Sequence, residues 1–319
     1  ITVDTAGFTS GVYKIFDDLT GSYTETEYRS LLGDANWNDS YKVIDNDLYL
    51  TNLEGAELYV DSAWASMSPN EEVTFVDGTK AYYKLNAFDT VANALALPSG
   101  ETAYENAVKL NITGTTGAIT VIGTNITEVN SSAKTSDENA VIAEDALTVN
   151  LVQVDNTNAG WQVYYPLASG SSASVYGSIT TNFISNKFTQ DPRTSDPNFI
   201  GGAYAGSTAK VYGNTTVNIG EAEAADDVLM LNTSFLVGAG AGTVNGDSTV
   251  NIMSGTVLAD AIAGGGAWGG QIKGNSSVII SGGVVTVGSS YGYQAIYGGS
   301  YGYNNGGTAT TALDSKIEI

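Results

Sequence analysis

The feature that most constrains this fold is a short motif that recurs through the C-terminal part of the chain. Each copy opens with glycine, continues with Asn, Asp, Ser or Thr, and ends in an alternating run of β-branched residues. The copies lie at residues 177–183, 213–219, 246–252 and 274–280, with a copy that lacks the glycine at 313–319. Successive copies start about 28 to 39 residues apart, a spacing typical of stacked supersecondary units.

Between these copies lie glycine-rich segments at residues 200–204, 237–240, 262–268 and 296–301. Two or three short strands per unit, with no helical spacing, predict the coils of a parallel β-solenoid. Strand alternation then predicts inward columns and outward positions. The predicted inward columns are Val217, Val250, Val278 and Ile317, and Ile219, Ile252, Ile280 and Ile319. The predicted outward residues are Asn218, Asn251, Ile279 and Glu318. An antiparallel β-sandwich or barrel with glycine-rich hairpins is the competing fold.

The first half of the chain predicts irregular β structure without this motif. Candidate strands, separated by Gly, Asn and Asp turns, are residues 11–16, 41–50, 73–76, 81–85, 108–113, 118–122, 147–154 and 161–165. Two short helices are predicted at 24–32 and 88–97, and a proline-containing loop at 185–198. We therefore expect an irregular β-rich region at 1–166, acting as a cap or assembly domain, and a repeat solenoid at 167–319.

Alternation of "IYGGS" or "IAGGGAW" with "GNSSVIISGGVV" or "GDSTVNIMSGTV" resembles the repeats of glycine-rich bacterial cell-surface proteins. These include autotransporter passengers, adhesins and surface-layer components. The resemblance covers roughly residues 170–319. It implies an all-β fold with a right-handed β-helix, and a location outside the cell or on its surface.

The charge and residue usage exclude several classes of function. There are 34 acidic and 12 basic residues, a net charge of −22, so we expect no binding to nucleic acid or to an anionic membrane surface. No apolar run approaches the roughly 18 to 20 residues that span a bilayer, and we expect no membrane insertion. Cysteine and histidine are absent, which removes thiolate nucleophiles, disulfides and the usual general base.

Catalysis and metal binding have few candidate residues. Only Arg29 and Arg193 could act as the arginine base of a polysaccharide lyase, and paired carboxylates of a glycosidase cannot be placed opposite one another from sequence. We therefore predict no catalytic residues and no bound cofactor. Calcium is the most plausible ion, because carboxylate oxygens cluster in two turns. Its candidate ligands are Asp34, Asp39, Asp45 and Asp47.

The open ends of a solenoid and its exposed aromatic residues are candidate interfaces, since unpaired strand edges recruit other strands. The predicted interface residues are Ile1, Val3, Tyr291, Tyr293, Tyr301, Tyr303, Ile317 and Ile319. The chain starts at Ile1 rather than Met, and 316–319 reads as a strand, so we expect a processed chain or one that continues.

The expected function is that of a structural extracellular protein. Such a protein would be a subunit of a self-assembling filament or surface layer, or an adhesin stalk. Its partner is expected to be a second copy of the chain, or else a host surface or glycan. The alternatives are a carbohydrate-active β-helix enzyme (a polysaccharide lyase or glycosidase) and a glycan-binding adhesin.

Overall fold

The computed structural model confirms an all-β chain built on a parallel solenoid. The structure describes residues 11–16, 41–44, 47–52, 57–97, 100–114, 119–156, 163–168, 170–188, 199–201, 209–221, 230–240, 242–267, 269–288, 295–300, 310–311 and 313–319. Three parallel sheets, here named sheets I, II and III, run along the stack and enclose the main hydrophobic core.

Sheet I has nine strands among the described residues, and all of its pairings are parallel. In spatial order they are Ala87–Phe88, Glu57–Asp61, Val108–Thr113, Asp145–Val152, Ser178–Ile184, Thr215–Ile219, Ser248–Ile252, Ser276–Ile280 and Ser315–Glu318. With about 4.8 Å between neighbouring strands, the sheet extends for roughly 40 Å along the stack.

Sheet II consists of two-residue strands, which form one corner of each coil. They are Ala103–Tyr104, Glu128–Val129, Ser174–Val175, Lys210–Val211, Thr243–Val244, Gln271–Ile272 and Thr310–Thr311. Sheet III closes the coil on the other side. Its strands are Ile119–Ile122, Asp155–Asn156, Val163–Leu167, Lys187–Phe188, Phe199–Gly201, Met230–Val237, Thr256–Ala263, Val284–Val287 and Ala295–Tyr297.

The chain passes through sheet II, sheet I and sheet III in turn before it enters the next coil. This order holds on both sides of residue 166. Sheet I crosses that position, since Asp145–Val152 pairs with Ser178–Ile184, with one register shift between Asp145 and Leu147. The division at residue 166 stays a prediction about domains, but the ladders themselves run across it. The parallel pairing rules out the competing antiparallel sandwich for the described core.

Antiparallel pairing is confined to two small elements near the N-terminus among the described residues. A three-stranded sheet holds Gly11–Phe16, Asp47–Asn52 and Tyr41–Ile44, and a hairpin joins Glu72–Thr74 to Lys80–Tyr82. The helix predicted at 88–97 is the single turn α1, Val91–Ala94, and the one predicted at 24–32 lies outside the described residues. Short 3₁₀ turns occur at Ser62–Ser66 and Ser131–Ala133.

Strand register confirms the predicted inward columns of sheet I except at Ile319, which lies beyond the last paired residue, Glu318. The first column holds, in coil order, Val217, Val250, Val278 and Ile317. The second holds Ile219, Ile252 and Ile280. The three valines of the first column are fully buried, and each contributes roughly 1.5–3 kcal/mol of hydrophobic stabilisation relative to an exposed side chain.

The glycine that opens each motif lies where the coil turns from sheet II into sheet I. Backbone N–H groups of Gly213 and Gly246 donate to the carbonyl oxygens of Gly177 and Gly213, at 2.9 and 3.0 Å. A Cβ atom on Gly213 would lie 2.4 Å from the backbone of Gly177 and 2.4 Å from the carbonyl oxygen of Ile142. Direct backbone-to-backbone stacking at this corner therefore requires glycine.

The polar residue after each glycine links one coil to the next. Asn214 Oδ1 accepts the backbone N–H of Asp247 at 2.8 Å, and Asp247 Oδ1 accepts that of Asn275 at 2.7 Å. Asn275 Oδ1 in turn accepts the N–H of Asp314 at 3.2 Å. The Asn/Asp position of the motif is thus a hydrogen-bonded column, which satisfies turn donors that the sheets leave unpaired.

A second polar column runs along the outward face of sheet I. It holds, in coil order, Asn111, Asn150, Asn182, Asn218 and Asn251. From Asn150 onward, each Nδ2 donates to the Oδ1 of the asparagine in the preceding coil at 2.7–2.8 Å. The predicted outward position of Asn218 and Asn251 is confirmed, and their amides bond to one another along the stack.

One long connection folds back along sheet II instead of leaving the solenoid. This segment, residues 131–144, follows strand Glu128–Val129 and contacts four later coils, at residues 178, 212, 245 and 273. Asn245 Nδ2 donates to the carbonyls of Glu138 and Ala140 at 3.0 and 2.8 Å, and Lys273 Nζ donates to Asn139 Oδ1 at 3.0 Å. The segment therefore ties consecutive coils together on the outside of sheet II.

Replacing Gly213 by alanine should destabilise the solenoid by about 1–3 kcal/mol, because the new Cβ meets fixed backbone of the neighbouring coil and of residue 142. Urea denaturation followed by circular dichroism measures the change. Gly288→Ala is the matched control, since nothing lies within 4 Å of a Cβ there. Equal stability of the two variants would contradict corner stacking as the reason for glycine.

Replacing Asn218 by leucine should cost about 1 kcal/mol, because it removes the acceptor of Asn251 Nδ2 and the donor to Asn182 Oδ1. The same denaturation experiment applies. Thr216→Val changes an outward residue two positions away on the same strand and is expected to stay within about 0.5 kcal/mol of the wild type. A larger loss for Thr216→Val than for Asn218→Leu would contradict the role of the amide column.

Candidate functional site: the two ends of the solenoid

The N-terminal end of the solenoid is covered by the chain itself. Strand Ala87–Phe88 pairs with Tyr59 and Val60 at the edge of sheet I, and α1 follows three residues later. The helix contacts strands of both sheet I and sheet III. Leu95, directly after the helix, is buried in the main core, with Val91 packed against it. The helix therefore plugs the open cross-section of the first coil.

The helix is held at both of its ends. Thr90 Oγ1 accepts the N–H of Asn93 at 3.1 Å, which is an N-cap. The hydroxyl of Tyr104, in sheet II, donates to the carbonyl oxygen of Leu95. Burial raises the pKa of Tyr104 to about 12, so this phenol stays a donor at any physiological pH.

Aromatic side chains cover the outer face of sheet I at the same end. Tyr59 and Trp64 pack edge-on against Phe75 at centroid distances of 5.2 and 6.3 Å. Burial, followed by the hydrogen bond to Glu57, raises the pKa of Tyr59. Burial acts to raise the pKa of Glu57, but its contacts with Lys109 and Tyr59 outweigh that effect and lower it. Strand Glu57–Asp61 is therefore covered on its outer face by aromatic side chains and at its edge by strand Ala87–Phe88.

A solvent-open cleft of about 590 Å³ lies beside α1, and its lining mixes apolar residues such as Leu58 and Leu95 with the charged residues Lys84, Glu101 and Glu105. The cleft separates the helix from the first coil on the solvent side. No group of three or more acidic side chains suited to a metal ion occurs among the described residues.

Among the described residues, the C-terminal end of the stack is open. Strand Ser315–Glu318 pairs with Ser276–Ile280 on one side, and no described strand pairs with its other side. All four of its residues are exposed. Ile317 continues the buried valine column yet is 44% exposed, and the adjoining Ile319 is 89% exposed. The inward column of sheet I therefore ends in an uncovered isoleucine.

The exposed apolar surface at this end extends beyond sheet I. Leu313, just before the outermost strand, is 62% exposed. Val284, in the outermost strand of sheet III, is 54% exposed. Its side chain lies on the outward face of that strand, since Val285 and Val287 are the residues that pack against the main core, and the strand also lacks a described neighbour on the outer side. Uncovered apolar side chains at an unpaired strand edge are typical of a protein–protein interface.

The backbone groups of the outermost strand alternate between its two edges. Ser276 N–H donates to the carbonyl oxygen of Asp314 at 2.9 Å, so Asp314 and Lys316 direct their backbone groups toward the preceding coil. Since successive residues of a strand point to opposite edges, Ser315 and Ile317 direct theirs to the open edge. The backbone donor and acceptor of Ile317 are therefore available to another strand.

Among the residues predicted from sequence as interface, two lie at this open end. They are Ile317 and Ile319, which are exposed there. The remaining predicted interface residues, Ile1, Val3, Tyr291, Tyr293, Tyr301 and Tyr303, lie outside the described residues. So do the calcium candidates Asp34, Asp39 and Asp45. Asp47 begins strand Asp47–Asn52, and its side chain is outside the described part, so calcium binding stays a prediction.

Sequence reasoning missed two members of this exposed surface, Leu313 and Val284. Leu313 occupies the motif position that is glycine in the four earlier copies. This replacement of glycine by leucine is the sequence signal that could have identified it. Val284 has no comparable signal, because a valine in a short β run reads as core until its neighbours are known.

Comparisons of the chain with protein-family models, with curated proteins and with solved structures found no match. In the part of the chain that the structure describes, no helix combines the length and apolar character needed to cross a membrane.

Replacing Tyr104 by phenylalanine should change the alkaline stability profile. The unfolded tyrosine loses its proton near pH 10 and the folded one near 12. Between these values the folded state binds more protons than the unfolded state, so stability falls as pH rises. The variant should lack that component and should lose about 1 kcal/mol at neutral pH with the hydrogen bond to Leu95. Denaturation midpoints from pH 9 to 12 measure both effects. If the stabilities of the wild type and the variant fell in parallel with pH, Tyr104 would not have the raised pKa.

Proposed function

We propose that the protein is a structural element of an extracellular surface, which acts by assembling with other protein chains through the open C-terminal end of its solenoid. The observation that carries this proposal is the exposed strand Ser315–Glu318, which ends the buried column of sheet I in Ile317. An interior coil buries its inward residues between two neighbours, whereas this one has a single neighbour among the described strands.

Energetics favour covering this end. Burying one large aliphatic side chain contributes roughly 1.5–3 kcal/mol, and Ile317, Ile319 and Leu313 are all substantially exposed here. An unpaired strand also leaves backbone donors and acceptors that a second strand can satisfy. The opposite end is already covered by α1 and strand Ala87–Phe88, so the two ends differ in their need for a partner.

The extracellular location is supported by the absence of cysteine, the low lysine content and the −22 net charge, together with the resemblance of the repeats to bacterial surface proteins. A roughly 40 Å rod of stacked strands suits a filament, a layer or a stalk. Cleavage of the native protein by an external protease on intact cells tests this location, and full protection from the protease would contradict it.

The assembly proposal predicts that Ile317→Asp weakens self-association by about ten-fold or more, because it places a charge where an apolar side chain would be covered. Sedimentation velocity over a concentration series measures the change. Val141→Asp is the matched control, since Val141 is 56% exposed and lies in the segment over sheet II, away from this end. A wild-type chain that stays monomeric at every concentration, or equal weakening by both variants, would overturn the proposal.

A further inference from the structure

The outermost strand of sheet I carries charges in an order that is complementary to itself. Its residues Ser315, Lys316, Ile317 and Glu318 place one cation and one anion symmetrically about Ile317. Lys316 and Glu318 lie on the outward face and Ile317 on the inward face, since Ile317 pairs in register with the buried Val278. A strand that runs antiparallel and centres on Ile317 would thus oppose each charge with its opposite.

We propose that two copies of the chain associate tail to tail, by antiparallel pairing of Ser315–Glu318 with the same strand of a second copy about a twofold axis at Ile317. This deepens the proposed function and rests on it, because it names the partner of the open end. In this arrangement Lys316 of one copy faces Glu318 of the other, twice, and the two Ile317 side chains cover one another.

The backbone supports the same register. Ile317 directs its N–H and carbonyl oxygen to the open edge, as the bond from Ser276 to Asp314 fixes. Placed on the twofold axis, the N–H of each Ile317 donates to the carbonyl oxygen of the other. Lys316 and Glu318 then form the flanking pairs without backbone bonds, where side chains of antiparallel strands approach most closely.

The described N-terminal end offers no equivalent edge. Its outermost strand, Ala87–Phe88, is two residues long and is followed by α1 across the coil. In the single chain the Lys316 and Glu318 side chains pair with each other at 2.5 Å, but both are more than half exposed, so that pair contributes little. The charges are free to exchange partners when a second copy approaches.

Charge reversal tests the register. Lys316→Glu and Glu318→Lys should each weaken self-association by about ten-fold, because each places like charges opposite one another at two positions. The double variant, Lys316→Glu with Glu318→Lys, restores both pairs and should associate within about three-fold of the wild type. Sedimentation equilibrium measures the three constants, and thermal unfolding at low concentration checks that the single chains remain folded.

A cysteine test is independent of charge, because the chain contains no cysteine. The Ile317→Cys variant should form a disulfide-linked dimer on mild oxidation, since directly opposed residues of a hydrogen-bonded antiparallel pair lie about 5.5 Å apart at Cα. Val284→Cys is the matched control: it is exposed at the same end but away from the proposed axis, and should remain monomeric on a non-reducing gel.

The outcomes separate this inference from the proposed function. Association that survives without rescue by the double variant, and without a disulfide in the Ile317→Cys variant, would overturn the tail-to-tail arrangement. It would leave assembly through the open end, with an N-terminal segment or another strand as partner. A wild-type chain that never associates would overturn both. Rescue by the double variant, together with a disulfide that forms in Ile317→Cys and not in Val284→Cys, supports the antiparallel dimer.

Discussion

The rest of the solenoid depends on the direct stacking of backbone on backbone at the corner between sheets II and I. Glycine N–H groups donate there to glycine carbonyl oxygens of the preceding coil. A Cβ atom on Gly213 or Gly274 would lie 2.4 or 2.5 Å from a backbone atom of that coil, which is too close for any side chain. This close contact aligns the coils that open with Gly213, Gly246 and Gly274 on the coil before each of them. The valine columns and the asparagine column are consequences of that register, since a slip of one residue would exchange inward and outward side chains.

Fixed corners also explain why the connections vary so much in length. Once a corner sets the register, the chain between strands can leave the stack and return without disturbing the core. The segment 131–144 uses this freedom to run back along sheet II. The carbonyl of Ile142 approaches Gly213 so closely that the glycine serves two purposes. It allows one coil to stack on the next, and it allows the returning segment to pack against the corner.

The repeat motif was sufficient to predict the solenoid, its inward valines and its outward asparagines, because each motif position has one dominant physical role. The same signal was present in the first half and was missed. Thr148-Val149-Asn150-Leu151 matches Thr216-Val217-Asn218-Ile219 in the outward and inward alternation. What it lacks is the opening glycine, since Glu144 and Asp145 stand at that corner. Without the glycine, local pattern does not distinguish a stacked coil from an isolated strand.

The sequence predicts only some of the residues exposed at the open end, because the exposure of a side chain depends on its neighbours in space as well as on its residue type. Ile317 continues the column of Val217, Val250 and Val278, and the sequence predicts it both as an inward residue and as part of an interface at the end of the stack. It is exposed because the coil that would cover it is not supplied by the described chain. At the other end, α1 and Leu95 supply that cover from residues that carry no repeat signal. In such a solenoid the unpaired backbone groups and the exposed apolar side chains are concentrated at the uncovered end. A partner that adds a strand to the same sheet satisfies both at once, and therefore binds there with the largest gain in free energy.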